Sequence, residues 1–261
     1  MYGRKSFLVG LGSLLGGLVL TSGIEPNFRN VLEGSDERHA LQALLVRKEP
    51  VKWLFTGDSI TQGAKHTHGM RSYSEVFAER VRWEKGRSRD AVLNSAVSGN
   101  TSRDLWNDMD WRVSQYRPHV VFIMLGTNDA ADTKEVSVEE YIKNLEACIG
   151  RIRSENAIPV LISPPTIITE LAQERKNLPD YVKAMIRLVD KEKILFIDNY
   201  TYWSKALHEE YPGLVNQKFM NDALHPNGYG HQIIAQVIFR YLGIFDPKDA
   251  TCGGAYYEGK H

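Results

Sequence analysis

At 261 residues the chain has room for one domain of ordinary size with short extensions, and none for a second catalytic domain. Hydrophobic residues make up 43% and charged residues 25%, the balance of a globular protein with its own core, which excludes a disordered or multispanning chain. Lysine plus arginine and aspartate plus glutamate number 32 each, so no net charge draws the chain to nucleic acid or to an anionic membrane, and a small or neutral partner is expected.

Residues 1–23 differ from the rest: a basic start at Arg4 and Lys5, an apolar, glycine-rich run from Phe7 to Leu20, then Thr21, Ser22 and Gly23. That order predicts an export signal, and so a secreted or cell-surface protein, with small residues placed where a signal peptidase would cut. An uncleaved N-terminal membrane anchor is the alternative. The stretch Arg4-Lys5-Ser6-Phe7-Leu8 also resembles a twin-arginine signal with lysine in the second place. Residues 24–50 read as a linker with a lead-in helix, where Leu41, Leu44 and Leu45 recur at helical spacing.

From residue 51 short apolar runs alternate with amphipathic segments. Strands are predicted over 51–56, 91–97, 119–125, 158–163 and 194–198, and helices over about 72–85, 102–114, 138–155, 179–192 and 229–242. Strand, helix, strand throughout means parallel pairing with helices on both faces, so residues 51–243 are expected to form a three-layer, doubly wound α/β domain. In such sheets ligands sit at the carboxyl ends of strands, where Gly57-Asp58-Ser59, Ser98-Gly99-Asn100 and Gly126-Thr127-Asn128-Asp129 all fall. Residues 244–261 are expected to form a C-terminal tail, which after Lys248, with Gly253 and Gly254, lacks periodicity and is expected to be loose. Two cysteines permit one internal bridge at most, and Cys148, in a strongly helical stretch, reads as core. No Cys/His cluster suggests structural zinc.

Ser59 stands at a strand-to-helix turn. A serine hydroxyl becomes a nucleophile when a general base is in hydrogen-bond reach and a third group fixes that base. His225 and Asp222, three residues apart, can lie on the same side of one turn, with the carboxylate on Nδ1 and Nε2 left to face Ser59. For the negative charge that develops on an acyl oxygen, the candidate donors are the backbone amides of Ser59 and Gly99 and the side-chain amide of Asn128. Glycine suits position 99 because a side chain there would obstruct the approach of substrate to the main chain. Asp58 is expected to fix its turn rather than to take part in chemistry, and Asp129 reads as a turn residue. His66 and His68, on alternate positions, invite a metal reading, but no carboxylate follows at metal-site spacing, and they are expected at the rim of the pocket. His231, inside the last helix, is expected to pack.

Together Gly57-Asp58-Ser59, Gly99, Gly126-Thr127-Asn128-Asp129 and Asp222-Ala223-Leu224-His225 resemble, in order, the four sequence blocks of the GDSL, or SGNH, hydrolase family. The likeness spans roughly residues 51–242, and the first block reads Gly-Asp-Ser-Ile-Thr where the family has Gly-Asp-Ser-Leu. The resemblance implies a flavodoxin-like five-stranded sheet of order 2-1-3-4-5, no cofactor or metal, and hydrolysis of carboxylic esters through an acyl-enzyme. It also implies roles: Ser59 as nucleophile and oxyanion donor, Gly99 and Asn128 as oxyanion donors, His225 as base and Asp222 as the third triad member. The G-x-S-x-G elbow of α/β-hydrolases and the phosphate-binding loop of nucleotide enzymes are both missing.

Pocket walls are expected from the segments 164–178 and 200–221; of Tyr202, Trp203, Tyr211 and Phe219 in the second, some could stack on a sugar ring or line an acyl cleft, but for any single one a place in the core is the expected outcome. With no wide amphipathic lid in view, the expected substrate is a small acyl group, such as acetyl, on a carbohydrate or similar ester. A lysophospholipase or thioesterase acting on longer chains is the second reading, an acyltransferase the third, and a noncatalytic carbohydrate-binding protein of the same fold the alternative of another class.

Overall fold

The computed structural model describes residues 36–258; the expected export signal and the first part of the expected linker lie outside the described residues. Helix α1 (Asp36–Val46) leads into strand β1 (Lys52–Gly57), the short helix α2 (Ser59–Gln62), α3 (Tyr73–Glu79, prolonged by a π turn over Arg80–Glu84) and β2 (Ala91–Asn94). Then come α4 (Ser102–Asn107), α5 (Met109–Arg112), β3 (Val120–Met124), α6 (Val138–Ser154), β4 (Ile158–Ile162), α7 (Leu178–Glu192) and β5 (Leu195–Ile197). Three short helices follow, α8 (Asn199–Thr201), α9 (Leu207–Glu210) and α10 (Val215–Phe219), before the long α11 (Gly228–Leu242).

The strands form one parallel sheet of order β2-β1-β3-β4-β5, as the resemblance implied. Helices cover both faces, which is why β1, β3 and β4 are apolar almost without alternation. On one face Trp53, Phe55 and Phe122 pack against Phe77 of α3 and Ile234 and Phe239 of α11, with Phe55 stacked on Phe122 at 4.6 Å between centroids. On the other, Leu54, Val121, Ile123 and Leu161 meet Leu105 of α4, Leu145 and Cys148 of α6 and Met185 of α7. The register pairs Gly57 with Met124, Met124 with Ile162 and Ile162 with Ile197, so the carboxyl ends of four strands finish level on one rim. Cys148 and Cys252 are both buried free thiols.

Three stretches differ from the expectation. Strand β2 ends at Asn94, because the Asn94 side chain turns back to accept from the Ala96 amide (3.1 Å) and donates to Thr61 O (2.7 Å). The helix expected over 102–114 breaks at Asp108, a short polar residue that competes with the helical backbone, at φ −106 and ψ 16. The segment after 244 is no loose tail through residue 258: Ala250–Cys252 form a 3₁₀ turn, and Thr251 is fully buried. Glu84 accepts from the Thr251 amide (2.9 Å) and hydroxyl, Gln232 donates to Thr251 O, and Arg80 bonds Asp249 and Ile244 O.

At the opposite edge of β1, buried Asp90 accepts from Val51 N (3.0 Å), Trp53 Nε1 (2.8 Å) and Arg87 Nε (2.7 Å). Asp90→Ala would strand two buried donors and a cation, and should cost about 3 kcal/mol in urea unfolding. A loss under about 1 kcal/mol would mean that these groups find other partners.

Candidate active site

Strand β1 ends at Gly57, where an added Cβ would lie 2.3 Å from Met124 O, so only glycine lets β1 close on β3 at this level. Asp58 then caps α2 by accepting from Ile60 N (2.9 Å), the turn-fixing part expected of it, and Ser59 becomes the first residue of that helix. Ser59 Oγ lies 2.8 Å from His225 Nε2. On the far side of the ring, His225 Nδ1 is 2.9 Å from Asp222 Oδ1 and 3.0 Å from Oδ2. Asp222 Oδ1 also accepts from the backbone amides of Leu224 and His225, both at 2.9 Å. Burial works to raise the Asp222 carboxyl, but these amide bonds and the imidazole outweigh it and bring it down to about 2. The carboxylate therefore stays charged at any pH at which the base is active.

The oxyanion candidates Gly99 and Asn128 lie on the loops that follow β2 and β3. Gly99 has φ +78, a left-handed backbone that glycine adopts without strain, and its Cβ direction faces open space. Its left-handed backbone, more than crowding, is thus the structural need for glycine there. Asn128 Nδ2 donates to Asn100 O (3.0 Å), and the second hydrogen of that amide remains for a ligand. Lys134 Nζ holds Gly99 O (2.8 Å), and Arg112 Nη1 holds Asn100 Oδ1 (2.9 Å). The loop is therefore preorganised from three directions. Asp129 ties it to the third block by accepting from Ser102 N (2.8 Å).

Several contributors escape a reading of the chain alone. Fully buried Arg112 donates to Gly57 O (2.6 Å), Thr56 Oγ1 (2.9 Å) and Ser95 O (3.0 Å) as well as to Asn100. Arg175, from the 164–178 segment, donates to Thr127 O (3.1 Å) and Asn128 Oδ1 (3.4 Å), while Ile168 N of that segment bonds Ala223 O (2.9 Å). That segment so touches both the oxyanion side and the histidine turn, as a pocket wall should. Of the aromatics in the 200–221 segment, Trp203 and Phe219 are buried in the core, the place expected of any single one, and Tyr211 packs edge-on to Phe219 at 5.0 Å. His231 is buried and accepts from Tyr73 N (3.1 Å), and burial pulls it down to about 3, in keeping with a packing role. His66 is more than a rim residue, since its ring lies on that of His225 with 3.5 Å between centroids. A groove of about 360 Å³, lined by Asp132, Asn177 and Tyr181, opens beyond Asn128 and holds none of the paired groups.

Comparison with known proteins agrees with this picture. The acetylxylan esterase of Geobacillus stearothermophilus is 27% identical over 210 residues, covering 74% of this chain and 94% of that protein. The isoamyl acetate-hydrolyzing esterase of Saccharomyces cerevisiae is 26% identical over 216 residues, covering 76% of this chain and 88% of that protein. Among solved structures, an alpha/beta hydrolase enzyme from the metagenome of Lake Arreo, Spain, superposes with a TM-score of 0.63 at 24% identity, covering 74% of this chain and 95% of that one. The fold and its relatives define a carboxylic ester hydrolase. More narrowly, residues 55–233 match the GDSL-like Lipase/Acylhydrolase family, and the chain belongs to it.

The floor of the crevice carries a measurable cost. Burial pushes the Asp58 carboxyl up to about 7, against the pull of its bond from Ile60 N. Between the unfolded value near 4 and this folded value only the folded chain holds the proton, so stability falls as pH rises through that window and levels off above about 7. Asp58→Asn keeps the capping oxygen and removes the charge. Its unfolding temperature should gain on wild type by several degrees more at about pH 8 than at about pH 5. Equal differences at both pH values would show that Asp58 is not the group that titrates.

Proposed function

We propose that the chain is an acetyl esterase acting on a carbohydrate or similar small ester, with Ser59 as nucleophile, His225 as base and Asp222 as the group that orients the base. The observation that carries the reading is the line from Asp222 through His225 to Ser59, 2.9 Å and 2.8 Å long. Ser59 Oγ adds to the acyl carbon as its proton passes to His225 Nε2, and the oxygen that becomes negative is met by the amides of Ser59, Gly99 and Asn128. The C–O bond to the alcohol then breaks, and that alcohol takes the proton from His225. A water molecule repeats the sequence on the acyl-enzyme, returning Ser59 Oγ–H and releasing the acid. Preference for a short acyl group is supported by the two relatives named for acetate esters and by the wall across the crevice, which is hydrogen-bonded to both of its sides.

Two measurements test this. His225→Ala should lose ~10³-fold or more in turnover of p-nitrophenyl acetate, with Ser59→Ala inactive and Asp222→Asn retaining more activity than His225→Ala. An Asp222→Asn variant as slow as His225→Ala would overturn that division of labour. For the substrate, release of acetate from acetylated xylan and other acetylated saccharides should exceed release of fatty acid from phospholipid. The opposite order, together with faster cleavage of the octanoate than of the acetate, would replace acetyl with long-chain ester.

A further inference from the structure

We propose that His66 is a positioning residue for the base: as a neutral imidazole it donates from Nδ1 to Asp222 Oδ2 and lies flat on His225, holding both in the plane that reaches Ser59. This rests on the assignment of Ser59, His225 and Asp222 above. The rings of His66 and His225 are 3.5 Å apart between centroids and within 2° of parallel, and His66 Nδ1 is 3.2 Å from Asp222 Oδ2. Asn221 Nδ2 donates to the same oxygen (3.0 Å), its 3.1 Å approach to His66 Nδ1 is a contact and not a hydrogen bond when Nδ1 carries the proton given to Asp222, and Asn221 Oδ1 is bonded to His68 Nε2. The carboxylate thus faces the base on one side and a fixed imidazole and amide on the other.

The stack supplies what the two hydrogen bonds of His225 cannot. Bonds at Nδ1 and Nε2 define the line from Asp222 to Ser59 but leave the ring free to rock about that line, and the terminal torsion of histidine is soft. A second ring pressed on its face removes that rotation, and it shields the face from water. The loop that carries His66 is bent for this purpose: Lys65 and His68 hold φ +69 and +54, left-handed values that cost a side-chain-bearing residue energy and cluster where function needs them.

Neutrality of His66 is part of the role. Burial comes first and proximity to His225 second in lowering its pKa, Lys65 adds to the effect, and Asp222 opposes it. Beneath the pair His231 of α11 is itself pulled down by burial and by both rings, so no third proton gathers there. A proton on His225 therefore meets a neutral ring rather than a second cation. Among the described residues His66, Asp222 and His225 are also the group whose ligand atoms lie within 4.8 Å of one another. Parallel rings, however, aim their in-plane lone pairs side by side, and an ion shared by the two Nδ1 atoms would sit outside both ring planes. The geometry favours the hydrogen bond over the ion.

The test uses the full chain and p-nitrophenyl acetate, with His66→Phe keeping a ring for the stack and losing the donor, and His66→Asn doing the reverse. Each should lower kcat by ~10-fold with KM within about twofold of wild type, because His66 touches the base and not the substrate. A kcat within about twofold of wild type in both variants, or a loss confined to KM, would overturn the proposal. A readout on the unaltered protein guards against variants that do not fold: imidazole ¹⁵N spectra should place the proton of neutral His66 on Nδ1, and finding it on Nε2 would overturn the proposal as well. Ser59→Ala and His225→Ala run in the same assay separate the two levels, since turnover surviving in them would defeat the triad itself.

Discussion

Beneath the crevice a single guanidinium joins elements that the chain keeps far apart. Arg112 is buried, yet its nitrogens meet only neutral oxygens: the last carbonyl of β1, a threonine hydroxyl one residue earlier, the carbonyl that follows β2 and the side chain of Asn100. Burial pulls this arginine below its usual value, and the carboxylates of Asp108, Asp104 and Asp58 work against that pull from a distance. Carbonyls at the carboxyl ends of parallel strands run out of strand partners, and a charged five-donor fork is a strong way to satisfy several at once. The consequence is geometric. The strand that ends before Ser59 and the loop that holds Gly99 are tied to one rigid group, so Ser59 and Gly99 cannot drift separately.

The histidine turn is built by a different rule. Asp222 accepts the amides of Leu224 and His225 and so makes its own turn, while the same oxygen receives the imidazole. Local hydrogen bonding therefore fixes the pair, and a bridge between Met220 and Pro226, with Asn221 N on His225 O at 2.7 Å, closes the base of the loop. Delivery of the turn to Ser59 depends on packing below it. A Cβ at Gly230 would lie 2.3 Å from Phe219 O, so α11 starts directly against the end of α10, and His231 of that helix accepts the first amide of α3. The contact of Ser59 with His225 is in this sense an outcome of how α11 and α3 pack against the same face of the sheet.

What could be read from the chain follows from this division. Periodicity separates buried parallel strands from amphipathic helices, and motifs whose partners are close in sequence, Asp222 with His225 or Asp58 with its helix, carry their geometry in their spacing. The family resemblance added the strand order. His66 escaped because its carboxylate is not at metal-site spacing nearby but on the Asp222 turn, brought in by the last helix. Arg112 and Arg175 carry no local mark at all, since an arginine on an amphipathic segment reads as solvated until the fold shows what lies under it. The aromatics at 203 and 219 take the core places expected of single large rings: a stretch that looked irregular is a chain of short helices, and helices with a buried face place their large rings in the core. The segment after residue 244 lacks a pattern of its own because its bonds are to Arg80, Glu84 and Gln232.

Two buried acids under the site show where local rules give way to function. Asp58 and Asp129 are raised by burial to about 7 and about 6, so both stand within reach of neutral pH, and each raised value is a penalty on the folded state when the group ionises. Both direct an oxygen at an amide at the start of a helix, Ile60 N in α2 and Ser102 N in α4, where the helix end favours negative charge and offsets part of that penalty. The charge of Arg112 acts on Asp58 from a distance and works against its rise. An acid that keeps its proton beneath Ser59 adds little negative potential to the crevice above it. Burial, which raises both acids, therefore lessens the negative charge beneath Ser59 as pH falls through about 7 and about 6, and the positive charge of Arg112 works against that rise at Asp58.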